Sequence, residues 1–106
     1  MSKRTLGIVS ATILRAIKDG HLYGLEIMDA TDLPDGTVYK TLHRMERRGL
    51  VRARWEDAEL AERERRPRRR YYEVTTEGGE ALVAVARRFE ALARGLSIQP
   101  VGEATE

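Results

Sequence analysis

The sequence predicts a mainly α fold that carries a single β-hairpin, an α+β class, and three observations lead to this prediction. Apolar residues recur every three or four positions in four segments, which is the period of an amphipathic helix. Two short segments in the second half alternate apolar and polar residues, as a half-buried strand does. Because the chain has 106 residues and 42% of them are hydrophobic, we expect one domain with a modest core.

The first two helices are predicted from their apolar spacing. A helix is expected over residues 5–18, and Gly20 follows it as a C-terminal stop. Its apolar residues occupy more than one side, so it is expected to face both its own core and a partner. The main stripe comprises Leu6, Val9, Ile13 and Ile17. A short second helix is expected over residues 24–30.

A third helix is expected over residues 35–48, after a turn rich in Asp, Pro and Gly. Asp32 is expected to cap this helix, with Pro34 in its first turn. Its buried stripe comprises Val38, Leu42 and Met45, and its outer face is basic. A short helix, a tight turn and a second helix with a basic face, in this order, predict a helix-turn-helix.

A hairpin is predicted after the third helix. Its strands cover residues 50–56 and 70–75, and both alternate in polarity. Residues 57–69 between them are highly charged and are interrupted by Pro67, and we expect this long loop to be mobile in the unbound protein. A hairpin that directly follows a basic helix is a wing, so the sequence predicts a winged helix-turn-helix.

The last helix is expected to begin at Thr75 or Thr76, either of which can cap it. Its apolar residues then step by three and four, which is the seam of a helix that packs along another helix. The seam comprises Leu82, Val85, Phe89, Leu92 and Leu96. The sequence therefore divides into a winged helix-turn-helix at residues 1–75, a C-terminal dimerisation helix at 76–96 and a disordered tail at 97–106.

The distribution of charge is more informative than its sum, which is a formal net charge of +2. Residues 40–54 contain six basic side chains and one acid, and residues 63–70 contain six arginines and one acid. Two basic stretches this close predict a surface for nucleic acid. The alternative is that each stretch is only a solvated face.

Several classes of function are disfavoured. The chain has no cysteine, which excludes disulfides, thiolate zinc sites and cysteine nucleophiles. Neither histidine lies near other metal ligands, and no phosphate loop or nucleophile with a base is evident, so we expect no enzyme, no metal and no cofactor. No apolar run is long enough to span a membrane, so a cytoplasmic protein is expected.

Four segments of the chain form a recognisable set. They are residues 22–27 (LYGLEI), 34–46 (PDGTVYKTLHRME) followed by 49–51 (GLV), 66–75 (RPRRRYYEVT) and 76–78 (TEG). In their order and spacing the chain resembles the PadR family of bacterial transcription regulators. The resemblance implies a winged-helix homodimer that binds palindromic operators, usually as a repressor, and associates with the nucleoid when bound. It also implies that the N-terminal helix, with Leu6, Val9 and Ile13, joins the last helix in the dimer.

The third helix and the wing hold the candidate DNA contacts. Lys and Arg side chains can donate to guanine, and Thr and Tyr hydroxyls can donate to phosphate. The third helix contributes Thr37, Tyr39, Lys40, His43 and Arg44, the connection before the second helix contributes Tyr23, and the wing contributes Arg66, Arg68, Arg69 and Arg70. Alternatives remain for some of them: Tyr23 or Tyr39 can pack as a core aromatic residue, and the wing arginines can pair with the acids Glu59, Glu62 and Glu64.

Two other functions compete with a simple repressor. A flat aromatic or drug-like effector could bind near the dimer interface, where Trp55 is expected in the core or in the wall of a cleft. The short C-terminal part argues mildly against an effector. A winged helix could also bind a protein instead of DNA, and the acids of the wing loop are the best support for that alternative.

Overall fold

A computed structural model describes residues 6–97 of the chain. The elements follow the order α1 (Ile8–Lys18), α2 (Gly24–Thr31), α3 (Asp35–Arg47), β1 (Val51–Trp55), α4 (Ala58–Arg63), β2 (Arg70–Val74) and α5 (Thr76–Gly95). The predicted mainly α fold with one antiparallel hairpin is confirmed. The expected tail at residues 97–106 lies outside the described residues except for Ser97. The first helix begins at Ile8, three residues later than predicted, because the backbone of Gly7 before it is extended.

The turn between α2 and α3 differs from the prediction. Asp32 does not cap α3; it ends α2 in the left-handed conformation, with a φ of 61°, and its N–H donates to the Met28 carbonyl at 2.8 Å. Pro34 occupies the position before α3 and accepts from the Val38 N–H. Aspartate tolerates a left-handed backbone better than most residues, so it can close the preceding helix instead.

The wing is more ordered than the sequence suggested. Its strands pair from Val51 opposite Val74 to Trp55 opposite Arg70. The segment expected to be a mobile loop contains α4, whose first turn is capped by the Asp57 carboxylate through the Glu59 N–H at 3.0 Å. The signal in the sequence is Asp57, because an aspartate is a favourable cap for a helix that begins directly after it.

The core lies between the first three helices and the base of the hairpin. Its fully buried side chains are Ile13, Leu14, Ile27, Val38, Leu42 and Met45. The hairpin is attached to this core by the Tyr72 N–H, which donates to the Leu22 carbonyl at 2.8 Å. The connection places the wing beside the start of α2.

The cap of α5 is confirmed. The Thr75 hydroxyl accepts from the Gly78 N–H at 3.0 Å and donates to the Gly49 carbonyl at 2.7 Å. The cap therefore also joins the start of α5 to the end of the helix-turn-helix. Among residues 6–97, no helix combines the length and apolar composition that crossing a membrane would require.

The residues expected at a dimer interface fall into two groups. Leu6, Ile13 and Val85 are buried in the protomer, and Leu82 is partly buried against the same core. The interpretation of Leu6, Ile13 and Val85 as partner-facing residues is wrong, because each is at most 5% exposed within its own subunit. The other residues stay exposed: Val9, Phe89, Leu92 and Leu96. Only the second half of the α5 seam, with Val9, is available to a partner.

Candidate nucleic-acid interface

Helix α3 presents a continuous basic face to solvent. Val38, Leu42 and Met45 are fully buried, so the opposite side of the helix points outward. The exposed residues on that side are Lys40, His43, Arg44 and Arg47, and Thr37 is half-buried at its edge. The structure thus places the predicted helix residues on one accessible surface. Arg47 was left out of the prediction, although its spacing of seven from Lys40 could have identified it.

Tyr39 connects α3 to the start of α2. Its side chain is 48% exposed, and its phenol ring lies so close to Gly24 that a Cβ there would overlap it. Any larger residue at this position would displace the end of the Tyr39 side chain from α2. The ring packs across α2 while the side chain keeps access to solvent, so it can reach a phosphate from a fixed position.

A buried carboxylate, which the sequence analysis overlooked, organises the wing. Glu56 is only 2% exposed and accepts two hydrogen bonds from the Arg66 guanidinium, at 2.6 and 2.8 Å. The Arg69 N–H and the Tyr71 hydroxyl also donate to it, each at 3.1 Å. The Arg68 Nε donates to its backbone carbonyl at 2.9 Å. The signal in the sequence was an acid at the end of an alternating strand, followed by several arginines.

These contacts revise the roles of two wing arginines. Arg66 is committed to Glu56, and Arg70 donates to Glu46 of α3 at 3.0 Å. Within residues 6–97 the acids that form ion pairs with the wing arginines are therefore Glu56 and Glu46, whereas Glu59, Glu62 and Glu64 form none. Between residues 6 and 97, the Arg69 guanidinium has no carboxylate partner. Its charge remains available to a ligand.

Aromatic rings lie beneath the wing arginines. The Arg69 guanidinium lies 4.0 Å from the centre of the Tyr23 ring, which meets Tyr71 edge-to-face at 5.8 Å. Trp55 is 54% exposed, so of its two expected positions the core is wrong, and the wall of a dimer cleft stays a prediction. Its strand ends at the surface of the wing, where the Arg68 and Arg70 guanidinium groups lie 5.7 and 5.0 Å from its ring.

Tyr23, Tyr39 and the four predicted wing arginines meet at one groove. This wing groove has a volume of about 450 Å³ and is lined by Tyr23, Gly24, Leu25, Tyr39, Trp55, Arg66, Pro67, Arg68, Arg69, Arg70 and Tyr72. Tyr39 is the only residue of α3 among those that line the groove, so the groove borders α3 at this residue. The described residues contain no cluster of His, Cys, Asp and Glu that could hold a metal ion.

The stability of the wing is expected to depend on acid pH through Glu56. The Arg66 guanidinium holds the pKa of this carboxyl at about 2, against the opposing effect of burial and with help from the Arg69 N–H and Tyr71. The stability that the carboxylate contributes is therefore fully present above about pH 4.5, which is its ordinary pKa. This stability is lost as the pH falls towards 2. Thermal unfolding followed by Trp55 fluorescence between pH 6 and pH 2 measures this loss. Glu56→Gln should lack this component, and an identical pH dependence in both proteins would contradict the assignment.

A family model and several solved structures resemble this chain. A model of the transcriptional regulator PadR-like family matches residues 13–84. No curated protein sequence matches the chain. The structure is similar to that of a PadR family transcription regulator from Clostridium difficile R20291, with 24% sequence identity and a TM-score of 0.75 over 86% of this chain and 96% of that chain.

Two further solved structures share the fold. The PadR-like transcription factor from Bacteroides fragilis is 20% identical, with a TM-score of 0.74 over 86% of this chain and 88% of its own. BpsR from Bordetella bronchiseptica, whose DNA binding is regulated by 6-hydroxynicotinic acid, is 18% identical, with a TM-score of 0.70 over 90% of this chain and 67% of its own.

Proposed function

The chain belongs to the transcriptional regulator PadR-like family, and from this premise we propose that it is a homodimeric repressor that binds a palindromic operator. The observation that carries the proposal is the wing groove, which brings Tyr23 at the start of α2 and Tyr39 of α3 together with the arginines of the wing. A surface that joins a basic helix to an arginine-rich hairpin suits the adjacent grooves of a DNA duplex.

Each part of this surface has a proposed role. Lys40 and Arg44 on the outer face of α3 reach base edges in the major groove, with His43 and Arg47 beside them. The hydroxyls of Tyr23, Tyr39 and Thr37 contact phosphates. The wing contacts are made by Arg68 and Arg69, since Arg66 and Arg70 brace the wing through Glu56 and Glu46. Arginine suits a narrow minor groove, where the potential is most negative.

Dimerisation is supported by the second half of α5. From Ala86 to Ser97 every residue but Ala93 is exposed, including Phe89, Leu92 and Leu96 on one side of the helix. A helix of 20 residues is about 30 Å long, and its exposed apolar seam suits a second copy of α5. A two-fold pair would present two α3 helices to successive major grooves, about 34–36 Å apart.

The experiment that tests DNA binding is a titration of labelled DNA from upstream of the protein's own gene, followed by fluorescence anisotropy. Affinity should fall steeply as salt is raised, because bound arginines and lysines release counterions from phosphate. A reporter gene under the same DNA should be repressed when the protein is present. No binding at low salt and micromolar protein would contradict the proposal.

Arg44→Ala is expected to weaken operator binding about 5- to 150-fold, which corresponds to about 1–3 kcal/mol for the removal of a bidentate hydrogen-bonded pair with a base. The anisotropy titration measures the change. Arg87→Ala is the matched control, because Arg87 is an exposed arginine on the side of α5 away from its apolar seam. Equal affinities for Arg44→Ala and the unaltered protein would remove Arg44 from the base-reading residues.

A response to a small aromatic effector is a second candidate, and the exposed ring of Trp55 in the wing groove favours it. Trp55 is the only tryptophan in the chain, so its fluorescence reports on this groove alone. A compound that quenches Trp55 and also releases the operator would support this candidate.

A further inference from the structure

We propose that Glu56 is a positioning residue for DNA binding: a buried negative charge that raises the affinity of a positive surface for DNA by holding the wing arginines in place. This inference rests on the proposed function, because it assumes that DNA contacts the wing. It concerns a residue that touches neither base nor phosphate, since its side chain is buried beneath the wing surface.

Both oxygens of the Glu56 carboxylate accept two hydrogen bonds each. Oε1 accepts from Arg66 Nη1 and the Arg69 N–H, and Oε2 accepts from Arg66 Nη2 and the Tyr71 hydroxyl. The contacts come from residues 10 to 15 positions later in the chain. Glu56 therefore ties the outgoing strand of the wing to its return strand.

These ties extend the hairpin beyond its last strand pair. The Glu56 N–H donates to the Arg69 carbonyl at 2.8 Å, and the Arg69 N–H donates back to the Glu56 carboxylate. The Arg68 guanidinium is attached to the Glu56 carbonyl. The backbone of Arg69 and the side chain of Arg68 are thus both fixed by one residue, and these two arginines are the proposed wing contacts.

The burial of Glu56 has a cost. A carboxylate removed from water is unfavourable unless it is paired and fully hydrogen-bonded, and a simple apolar residue would often be as stable at such a position. A negative charge under a DNA-binding surface would also oppose phosphate. Both considerations indicate that Glu56 favours DNA binding by ordering Arg68 and Arg69. An arginine that is already positioned before binding loses less conformational entropy when it contacts DNA.

The direction in which Glu56→Gln changes DNA affinity distinguishes a positioning role of Glu56 from a purely electrostatic one. Glu56→Gln removes a negative charge from the wing, so electrostatics alone predicts tighter DNA binding. Positioning predicts the opposite: affinity about tenfold lower, as expected when one or two charge-assisted hydrogen bonds to DNA no longer form. The slope of log affinity against log salt should also become shallower by about 0.9 for each phosphate that the wing no longer neutralises.

The matched control is Glu62→Gln in the same wing. Glu62 is exposed, and its carboxylate makes no hydrogen bond or ion pair within residues 6–97, so its neutralisation should leave DNA affinity unchanged or raise it. Tyr71→Phe is a second variant that removes one bond to Glu56 without changing charge, and it should lower affinity less than Glu56→Gln does. Circular dichroism of each variant checks that the helices remain folded.

The outcomes are distinct. Lower affinity and a shallower salt slope for Glu56→Gln, with neither change in Glu62→Gln, support the inference. Unchanged or higher affinity for folded Glu56→Gln overturns it, while binding by the unaltered protein leaves the proposed function in place. Should Glu56→Gln fail to fold, Tyr71→Phe decides the matter, and unchanged affinity there overturns the inference. Absence of DNA binding by the unaltered protein overturns both.

Discussion

Replacing both Leu92 and Leu96 with glutamate is expected to separate the dimer into monomers and to lower operator affinity about 100- to 10,000-fold. Both side chains are more than half exposed in the protomer, so the change should not disturb the fold of a single subunit. In the dimer the new carboxylates would be buried without partners at the α5 seam, which is strongly unfavourable. Affinity falls by this amount because two half-sites can no longer be bound by one linked pair.

Sedimentation velocity measures the association state, and the anisotropy titration measures the affinity. Val83→Glu is the matched control, because Val83 is 50% exposed and lies on the opposite side of α5 from Leu92. It should stay dimeric and bind the operator normally. A double variant that remains dimeric would show that the α5 seam is not the interface. A monomeric variant with full operator affinity would show that DNA binding does not need the dimer.

Gly78→Ala is expected to lower the free energy of unfolding by about 1–3 kcal/mol, which is the typical cost of forcing an extra carbon into a packed site. A Cβ at this position would overlap the carbonyl oxygen of Leu50, and it would also press on the Val74 side chain. The obstructing atom belongs to the backbone, so the first turn of α5 must move away from the start of β1. That movement would also disturb the Thr75 cap, whose hydroxyl accepts from the Gly78 N–H.

The neighbouring glycine is the control. A Cβ at Gly79 would meet open space, so Gly79→Ala should stabilise the protein by up to about 1 kcal/mol through its higher helix propensity. Thermal unfolding at one protomer concentration compares the two, and each kcal/mol corresponds to about 4–8 °C in Tm. An unfolding midpoint for Gly78→Ala at or above that of the unaltered protein would contradict the close approach between α5 and Leu50.

Local patterns in the sequence were sufficient to predict most of the fold. The period of the apolar residues predicted α1, α2, α3 and α5, and strict alternation predicted both strands. Thr75 could be recognised as a cap because capping depends on residues within one turn. The exposed basic face of α3 could also be predicted, because the burial of one side of a helix determines its opposite side.

The sequence could not predict which charges pair. Arg66 and Arg70 were interpreted as DNA contacts, whereas the structure pairs them with Glu56 and with Glu46, which is 24 positions away. Likewise the spacing of three and four predicts one uniform seam along α5, whereas Val85 is buried and Leu92 is exposed. The charge and polarity of a residue are known from its type, but the residue with which it forms an ion pair depends on which segments the fold brings together.

The amino-acid sequence by itself therefore determined the elements, their order and the basic character of α3 and the wing, since these depend on periodicity and on residues close in the chain. Only the tertiary structure decided that Glu56 ties the two sides of the wing together and that Ile13 belongs to the core. It also decided that the apolar seam of α5 is buried in its first half and exposed in its second half. Each of these follows from contacts between distant segments, whose formation depends on how the helices and the hairpin pack together.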